Sequence, residues 1–411
     1  MVTDTGSAPP RTGHGGASRM TGGTQAMTGF DASTSPFAGP SLPRPSSQLV
    51  TVFGGSGFLG RHVVRALAKR GYRIRVAVRR PDLALFLQPL GKVGQIVAVQ
   101  ANLRYPDSIA RAVEGADVVV NLVGILQESG KQSFLGLQAE GAGEIARAAA
   151  SVGAPVVHVS AIGADETSGS EYARSKALGE ANVLAAQPRS VILRPSLVFG
   201  PGDSFFNRFA SLARVLPVLP LAGAGTRFQP VFVGDVAEAV ARAVDGQAEA
   251  GRVFELGGPE IETLDALVRY MLKTTMRRRL VVDLPKPLAM LQARVIETVD
   301  TLSLGLLPDS LKLTRDQVTL LQTDNVVSEA AKAEGRTLDG LGILPTAMAA
   351  VVPGYLWTFR KAGQFAKETI TISEEEAAEP SSPPVTRPSG PPIGPDATAP
   401  SRMGVRWGTR G

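Results

Sequence analysis

The sequence predicts an α/β protein: a doubly wound parallel sheet, then a smaller, mostly helical C-terminal cap region, flanked by disordered tails. Three observations carry this expectation. Short apolar runs alternate with helix-periodic segments through the first half of the core. The first run ends in a glycine turn that opens a helix. Beyond residue 195 the alternation gives way to proline-rich loops and then to helical stripes.

Residues 1–47 are rich in Gly, Ser, Thr and Pro, and residues 373–411 combine Glu374-Glu375-Glu376 with repeated prolines. Neither segment buries enough apolar surface to offset its ordering entropy, so both read as disordered. The core between them divides into a nucleotide-fold domain, 48–258, with cap segments from about 195, and a mostly helical region, 259–372. Strands are expected at Leu49–Phe53, Ile74–Val78, Gln95–Val99, Asp117–Val123, Val156–Ser160 and Val191–Leu193, with helices such as Asp107–Glu114 and Gly141–Ser151 between them. Short strands follow at Phe228–Val233 and Arg252–Leu256. Further on, Leu264, Leu267, Val268 and Met271 form one helical stripe. Leu288, Leu291, Val295, Val299 and Leu302, after Pro287, form another. Both read as core faces. The stretch Leu302–Leu313 lacks an obvious polar face and reads alternatively as a lipid- or partner-facing surface.

With zero cysteines there are no disulfides or thiolate metal sites, and His14, His62 and His158 show no ligand spacing, so no metal is expected. His158, in an apolar strand, reads as a core histidine. The N-terminal tail has no signal-peptide pattern, and no run of apolar residues is long enough to span a bilayer. The net charge of +6 resides in the core, because the small charges of the two tails cancel. That excess suits phosphate ligands, an acidic partner or an anionic membrane surface. Arg277-Arg278-Arg279 is the one basic cluster, and without an accompanying reading motif it does not argue for nucleic acid.

The glycine turn is the sharpest signal. Gly54 and Gly55-Ser56-Gly57-Phe58-Leu59-Gly60 follow the first strand directly, and Leu59, Val63, Val64 and Leu67 then share one helix face. In such a Rossmann-like unit the three spaced glycines have separate tasks. Gly55 permits the tight turn, Gly57 lets backbone approach a pyrophosphate, and Gly60 lets the helix pack close to the strand. The helix N-terminus offers N–H groups to the phosphates. Ligands of these sheets lie beyond the carboxyl ends of the strands. After the second strand stand Arg79 and Arg80 where an NAD-selective site wants an acid, so the expected cofactor is NADPH (NADP). Asn102 and Leu103 after the third strand fit beside the adenine. Leu122, Val123 and Gly124 after the fourth let backbone pass close to the cofactor.

A second constellation is Tyr172-Ala173-Arg174-Ser175-Lys176, with Ser160 at the end of an earlier strand. On a helix, Tyr172 and Lys176 lie one turn apart on one face. A nearby ammonium lowers a phenol's pKa toward working pH. Tyr172 would then move a proton at a substrate oxygen that Ser160 orients, and Lys176 would also hold the nicotinamide ribose.

Together these residues resemble the short-chain dehydrogenase/reductase superfamily. Arg194-Pro195-Ser196-Leu197-Val198-Phe199-Gly200-Pro201-Gly202 and Gln229-Pro230-Val231-Phe232-Val233-Gly234-Asp235 resemble its extended, epimerase-like branch. The resemblance places Pro195 and Val198 near the nicotinamide and Asp235 at the start of a cap-region helix. It runs from about Gln48 to Pro259.

A narrower resemblance rests on the block from Leu313-Thr314-Arg315-Asp316-Gln317 to Thr323-Asp324-Asn325-Val326-Val327, then Gly335-Arg336-Thr337-Leu338 and Pro353-Gly354-Tyr355-Leu356-Trp357. These segments are similar to bacterial relatives of the NADPH-binding accessory subunit of respiratory complex I. That family implies a structural nucleotide, complex I subunits as partners, and a place on the cytoplasmic face of the inner membrane. The complete Ser160, Tyr172 and Lys176 set, often lost in mitochondrial members, keeps a rival open. That rival is a soluble NADP-dependent oxidoreductase or epimerase acting on a sugar nucleotide, isoprenoid or other carbonyl compound. A nucleotide-regulated scaffold without turnover is a third reading.

Overall fold

The computed structural model describes residues 47–128, 130, 132–302, 314–361 and 363. The tails read from the sequence fall almost wholly outside these residues, as does all of the stretch 302–313 except its first residue. Along the chain run β1 (Leu49–Phe53), α1 (Phe58–Lys69), β2 (Arg73–Val78), β3 (Ile96–Gln100), α2 (Pro106–Val113), β4 (Val118–Asn121), α3 (Gly141–Ser151), β5 (Val156–Val159), α4 (Glu171–Ala186) and β6 (Val191–Pro195). Next come β7 (Val198–Phe199), α5 (Phe205–Val215), β8 (Val218–Ala222), β9 (Arg227–Phe228), β10 (Val231–Phe232), α6 (Val233–Val244), β11 (Val253–Leu256) and β12 (Glu262–Thr263). The last are α7 (Leu264–Thr274), β13 (Leu280–Leu284), α8 (Lys286–Leu302), α9 (Arg315–Leu320), α10 (Glu329–Ala333), α11 (Met348–Val351) and α12 (Pro353–Leu356).

The main sheet has the order β3-β2-β1-β4-β5-β6-β11, and every pairing in it is parallel. The winding reverses between β1 and β4, where Phe53 pairs with Asn121, and this opens a crevice beyond their carboxyl ends. Alternation along β1 sorts its side chains between two layers. Val50 and Val52 face Val63, Val64 and Leu67 of α1 and Val236 and Val240 of α6, whereas Phe53 faces Ile109 of α2 and Ile145 of α3. Burying each such valine or leucine stabilises the fold by about 2 kcal/mol.

A second core joins Phe199, Phe206, Leu219, Leu267, Met271, Val352 and Leu356. The first helical stripe lies in it as expected: Leu264, Leu267, Val268 and Met271 are all buried. The described part of the second stripe does not, and the side chains of Val299 and Leu302 lie outside the described residues. Leu288, Leu291 and Val295 are 52%, 58% and 55% exposed, and α8 instead buries Ala289 and Ala293 against Ala222 and Val318. Small residues one turn apart let that face approach closely, which leaves the larger aliphatics outside.

Two further departures have simple causes. The run Phe228–Val233 splits into β9 and β10 because Gln229 and Pro230 interrupt it, and proline brings no N–H to a ladder. The proline-interrupted stretch after Val215 nevertheless forms β8, whose one strand partner among the described residues is β13, so Pro220 sits where a lost donor is tolerated. Segments late in the chain return to the main sheet. Leu338, Leu341 and Ile343 share a cluster with Val240 and Leu256, and Glu255 donates its N–H to the Arg336 carbonyl at 2.9 Å.

Candidate functional site

The left-handed residue of the glycine turn is Gly54, at φ +78°, rather than Gly55. A Cβ on Gly54 would also stand 3.1–3.2 Å from the backbone of Leu122 and Val123, so the turn rests on the end of β4. Gly55 is demanded by packing instead: its Cβ would meet Val76 Cγ1 at 2.7 Å. Gly60 shows the tightest approach, because its Cβ would lie 2.3 Å from the Gly54 carbonyl oxygen. Gly57 is the N-cap of α1, no side chain caps that helix, and a Cβ there would meet only Gly54 O at 3.3 Å.

One cleft of about 270 Å³ gathers Gly54, Ser56, Gly57, Arg79, Asn102, Leu103, Leu122, Val123 and Gly124. The strand-end residues Phe53 and Val78 also line it, and Ala77, Ala101, Ile125, Gln132 and Leu137, which no local motif marks, complete it. Gly55, Phe58, Leu59, Gly60 and Arg80 do not line it; the first four shape the turn and first helical turn behind it, and Arg80 follows β2. The two arginines therefore part company. Arg79 lies on the cleft, whereas Arg80 turns to Asp82, with an N–O distance of 2.8 Å.

Ser160 follows β5 and is buried, with its Oγ unpartnered among the described residues. Tyr172 stands in the first turn of α4, its ring edge-on to Phe134 at 5.9 Å. The Lys176 Nζ donates to the Val159 carbonyl at 3.4 Å and lies 6.0 Å from the Tyr172 ring centre. It also sits against Gly124, where a Cβ would come within 3.3 Å of it. Thus Gly124 makes room for the lysine as well as bordering the cleft. Pro195 ends β6, and Val198 begins β7. Neither lines the cleft.

The electrostatics correct the expected lowering of the Tyr172 phenol. Burial pushes it up to about 12, and burial also pulls the Lys176 ammonium down to about 8, partly opposed by Glu180. Desolvation disfavours both charged forms, and at this distance it outweighs their attraction. His158 is pulled down to about 3 by burial and then by Lys176, so it is neutral. Its Nδ1 pairs with Asn121 Nδ2 at 3.1 Å, and its Nε2 has no partner among the described residues. Below Lys176, Glu180 binds Arg194 through two bonds of 2.9 and 2.6 Å.

Residues late in the chain fasten this site. Asp316 of α9 accepts from Glu171 N at 2.6 Å, Tyr172 N at 3.3 Å and Ser170 Oγ at 3.0 Å. Ser170 itself caps α4 by accepting from Ala173 N. A second acceptor, carrying negative charge, thus serves the N–H groups at the start of the Tyr172 helix. Asn325 donates to the Ile162 carbonyl at 2.9 Å and accepts from Ser196 Oγ at 2.7 Å. Tyr355 donates to Asp203 at 2.5 Å, and Asp235, in the first turn of α6, accepts from Thr346. Arg277 and Arg279 of the basic cluster donate to the Phe359 and Ala213 carbonyls. Replacing Asp316 by alanine is expected to cost about 1 kcal/mol, as loss of a helix cap does. Urea unfolding and hydrogen exchange at the Glu171 and Tyr172 amides measure it, and unchanged protection would show the contact to be idle.

An uncapped helix start behind a glycine turn, and a buried hydroxyl without a partner, fit a bound dinucleotide. With the parallel sheet and its switch-point cleft they define a Rossmann-type nucleotide-binding protein. The chain belongs to the NAD dependent epimerase/dehydratase family, whose sequence profile matches residues 50–257. It is 33% identical over 331 residues to the Arabidopsis thaliana protein NADH dehydrogenase (ubiquinone) 1 alpha subcomplex subunit 9, mitochondrial. That match covers 79% of this chain and 81% of the relative. A ceramide reductase of Caulobacter vibrioides is 38% identical over 189 residues, 46% of this chain and 58% of that protein. An NADPH-dependent quinone oxidoreductase from Escherichia coli, solved with NADPH, shares the fold. Its TM-score is 0.57 at 20% identity, over 75% of this chain and 99% of that one. Relatives named as mitochondrial NADH dehydrogenase (ubiquinone) or NADH-ubiquinone oxidoreductase subunits come from plant, animal, amoeba and fungus, whereas the resemblance implies a bacterial branch.

Proposed function

We propose that this chain is an NADPH-binding accessory subunit of, or a protein associated with, respiratory complex I, and that its nucleotide is structural. The observation that carries this reading is the extent of the likeness to the mitochondrial subunit, which continues well past the family profile into the C-terminal part. The contacts of Asp316, Asn325 and Tyr355 support it: the chain's late segments clasp the nucleotide domain. No helix among the described residues is long and apolar enough to cross a membrane, so the proposed attachment is peripheral, on the cytoplasmic face of the inner membrane. Affinity purification in mild detergent should recover complex I subunits, and the denatured protein should release stoichiometric NADPH. Recovery of a free chain without nucleotide would defeat the proposal.

A second reading, an NADP-dependent oxidoreductase, is favoured by the intact Ser160, Tyr172 and Lys176 and by the likeness to a reductase. In that role Ser160 would orient a carbonyl oxygen and Tyr172 would supply its proton. A raised phenol pKa suits a proton donor. NADPH oxidation on a carbonyl panel that disappears in Tyr172→Phe would establish turnover.

A further inference from the structure

Sharing no lining residue with the nucleotide cleft, a cavity of about 430 Å³ lies between α5, β8, α8 and α9. Its walls are aliphatic and aromatic, among them Phe205, Phe209, Leu219, Leu221, Ile296 and Leu320. Such a lining gains nothing from water, and left empty it forfeits the dispersion contacts of a filled interior. Its size falls within the range of small-molecule sites.

One polar feature gives the cavity a direction. Gln292 of α8 contributes to the lining, and its Oε1 is buried with no hydrogen-bond partner among the described residues. A buried acceptor left unpaired is costly, and the occupant that satisfies it must bring a donor. The other polar lining residues are Gln317, which donates to the Leu126 carbonyl at 3.4 Å, and Arg208, a cation that has an interaction of its own. We propose that this cavity holds the aliphatic chain of an amphiphile whose head presents a neutral hydroxyl or amide donor to Gln292. The chain supplies the apolar contact, and the head supplies the one missing hydrogen bond. The site is separate from the proposed nucleotide function and stands or falls without it.

The full-length protein can be loaded with Nile red and challenged with lauryl alcohol, lauramide, lauryl methyl ether and laurate. The alcohol and the amide separate the two donor sources; the ether has the chain without the donor. We expect saturable displacement, with the ether about tenfold weaker than the better of the two donors, the worth of one hydrogen bond. Gln292→Leu should erase that difference and leave the ether's affinity unchanged. Ala222→Phe, which enlarges a lining residue that also packs against Ala289 and Ala293, should weaken every competitor at least tenfold. Thermal unfolding of each variant checks that it is folded, and the near-isosteric Gln292→Leu keeps the trial decisive if the bulkier variant fails to fold. Absence of saturable displacement overturns the proposal. So does laurate as the tightest competitor, because Arg208 and an anionic head would then set the chemistry. Binding of the ether equal to that of the better of the two donors, in the unmodified protein, overturns it as well.

Discussion

Replacing Gly60 by alanine is expected to cost about 3 kcal/mol of folding stability and to abolish nucleotide retention. The added methyl would lie 2.3 Å from the Gly54 carbonyl oxygen and 2.6 Å from Gly55 C and Cα. These are backbone atoms, so no rotamer change relieves the clash. Gly54 is already committed elsewhere: its oxygen accepts from Gly57 N at 3.1 Å, and its Cα is pressed toward the end of β4. Either α1 moves away from the sheet or the turn opens, and both displace the N–H groups proposed to receive a pyrophosphate. Gly57→Ala provides the contrast. At φ −72° alanine is unstrained, and its nearest contact, Gly54 O, is at 3.3 Å. Stability should change by less than about 1 kcal/mol, while the methyl intrudes on the cleft and lowers nucleotide affinity. Denaturant unfolding and a nucleotide-binding titration on both variants separate the two effects. Equal loss of stability at the two positions would refute this division of labour.

That contrast shows what a sequence can and cannot carry. The order of strands and helices, the place of the glycine turn and the one-turn spacing of Tyr172 and Lys176 are local properties, and periodicity exposes them. Which glycine takes the left-handed conformation is not local, since Gly54 rather than Gly55 is pressed against Leu122 and Val123, just beyond the end of another strand. The same holds for the phenol. Proximity in sequence to a lysine suggests a lowered pKa, but burial raises it. The α8 stripe fails for a related reason: a helix face reads as apolar whether or not anything covers it, and here two alanines on another face win the close contact. Asp316 reaches the Tyr172 helix across more than a hundred residues, a pairing that no pattern in either segment announces.

The proposed preference for NADPH rests on how the fold treats its two neighbouring arginines. Arg80 is exposed and already paired with Asp82, which holds that carboxyl below its ordinary range. Arg79 borders the cleft and makes no ion pair among the described residues, so its guanidinium is the one available for a 2′-phosphate. A charge-assisted, bidentate contact of that kind contributes about 2–3 kcal/mol. Arg79→Asp removes it and sets a carboxylate against the phosphate, so NADPH affinity should fall about 100-fold or more. NADH, which presents a 2′-hydroxyl that a carboxylate can accept from, should bind as before or better. Arg80→Ala should change either affinity by less than about threefold, as expected for a solvated ion pair. Raising the salt concentration should narrow the NADPH–NADH difference in the unmodified protein and leave it small in Arg79→Asp. Titrations of both cofactors against the three proteins provide the measurement. Equal affinity of the unmodified protein for NADPH and NADH would remove the basis for the assignment. If Arg79→Asp weakened both cofactors alike, Arg79 would be shaping the cleft rather than reading the phosphate.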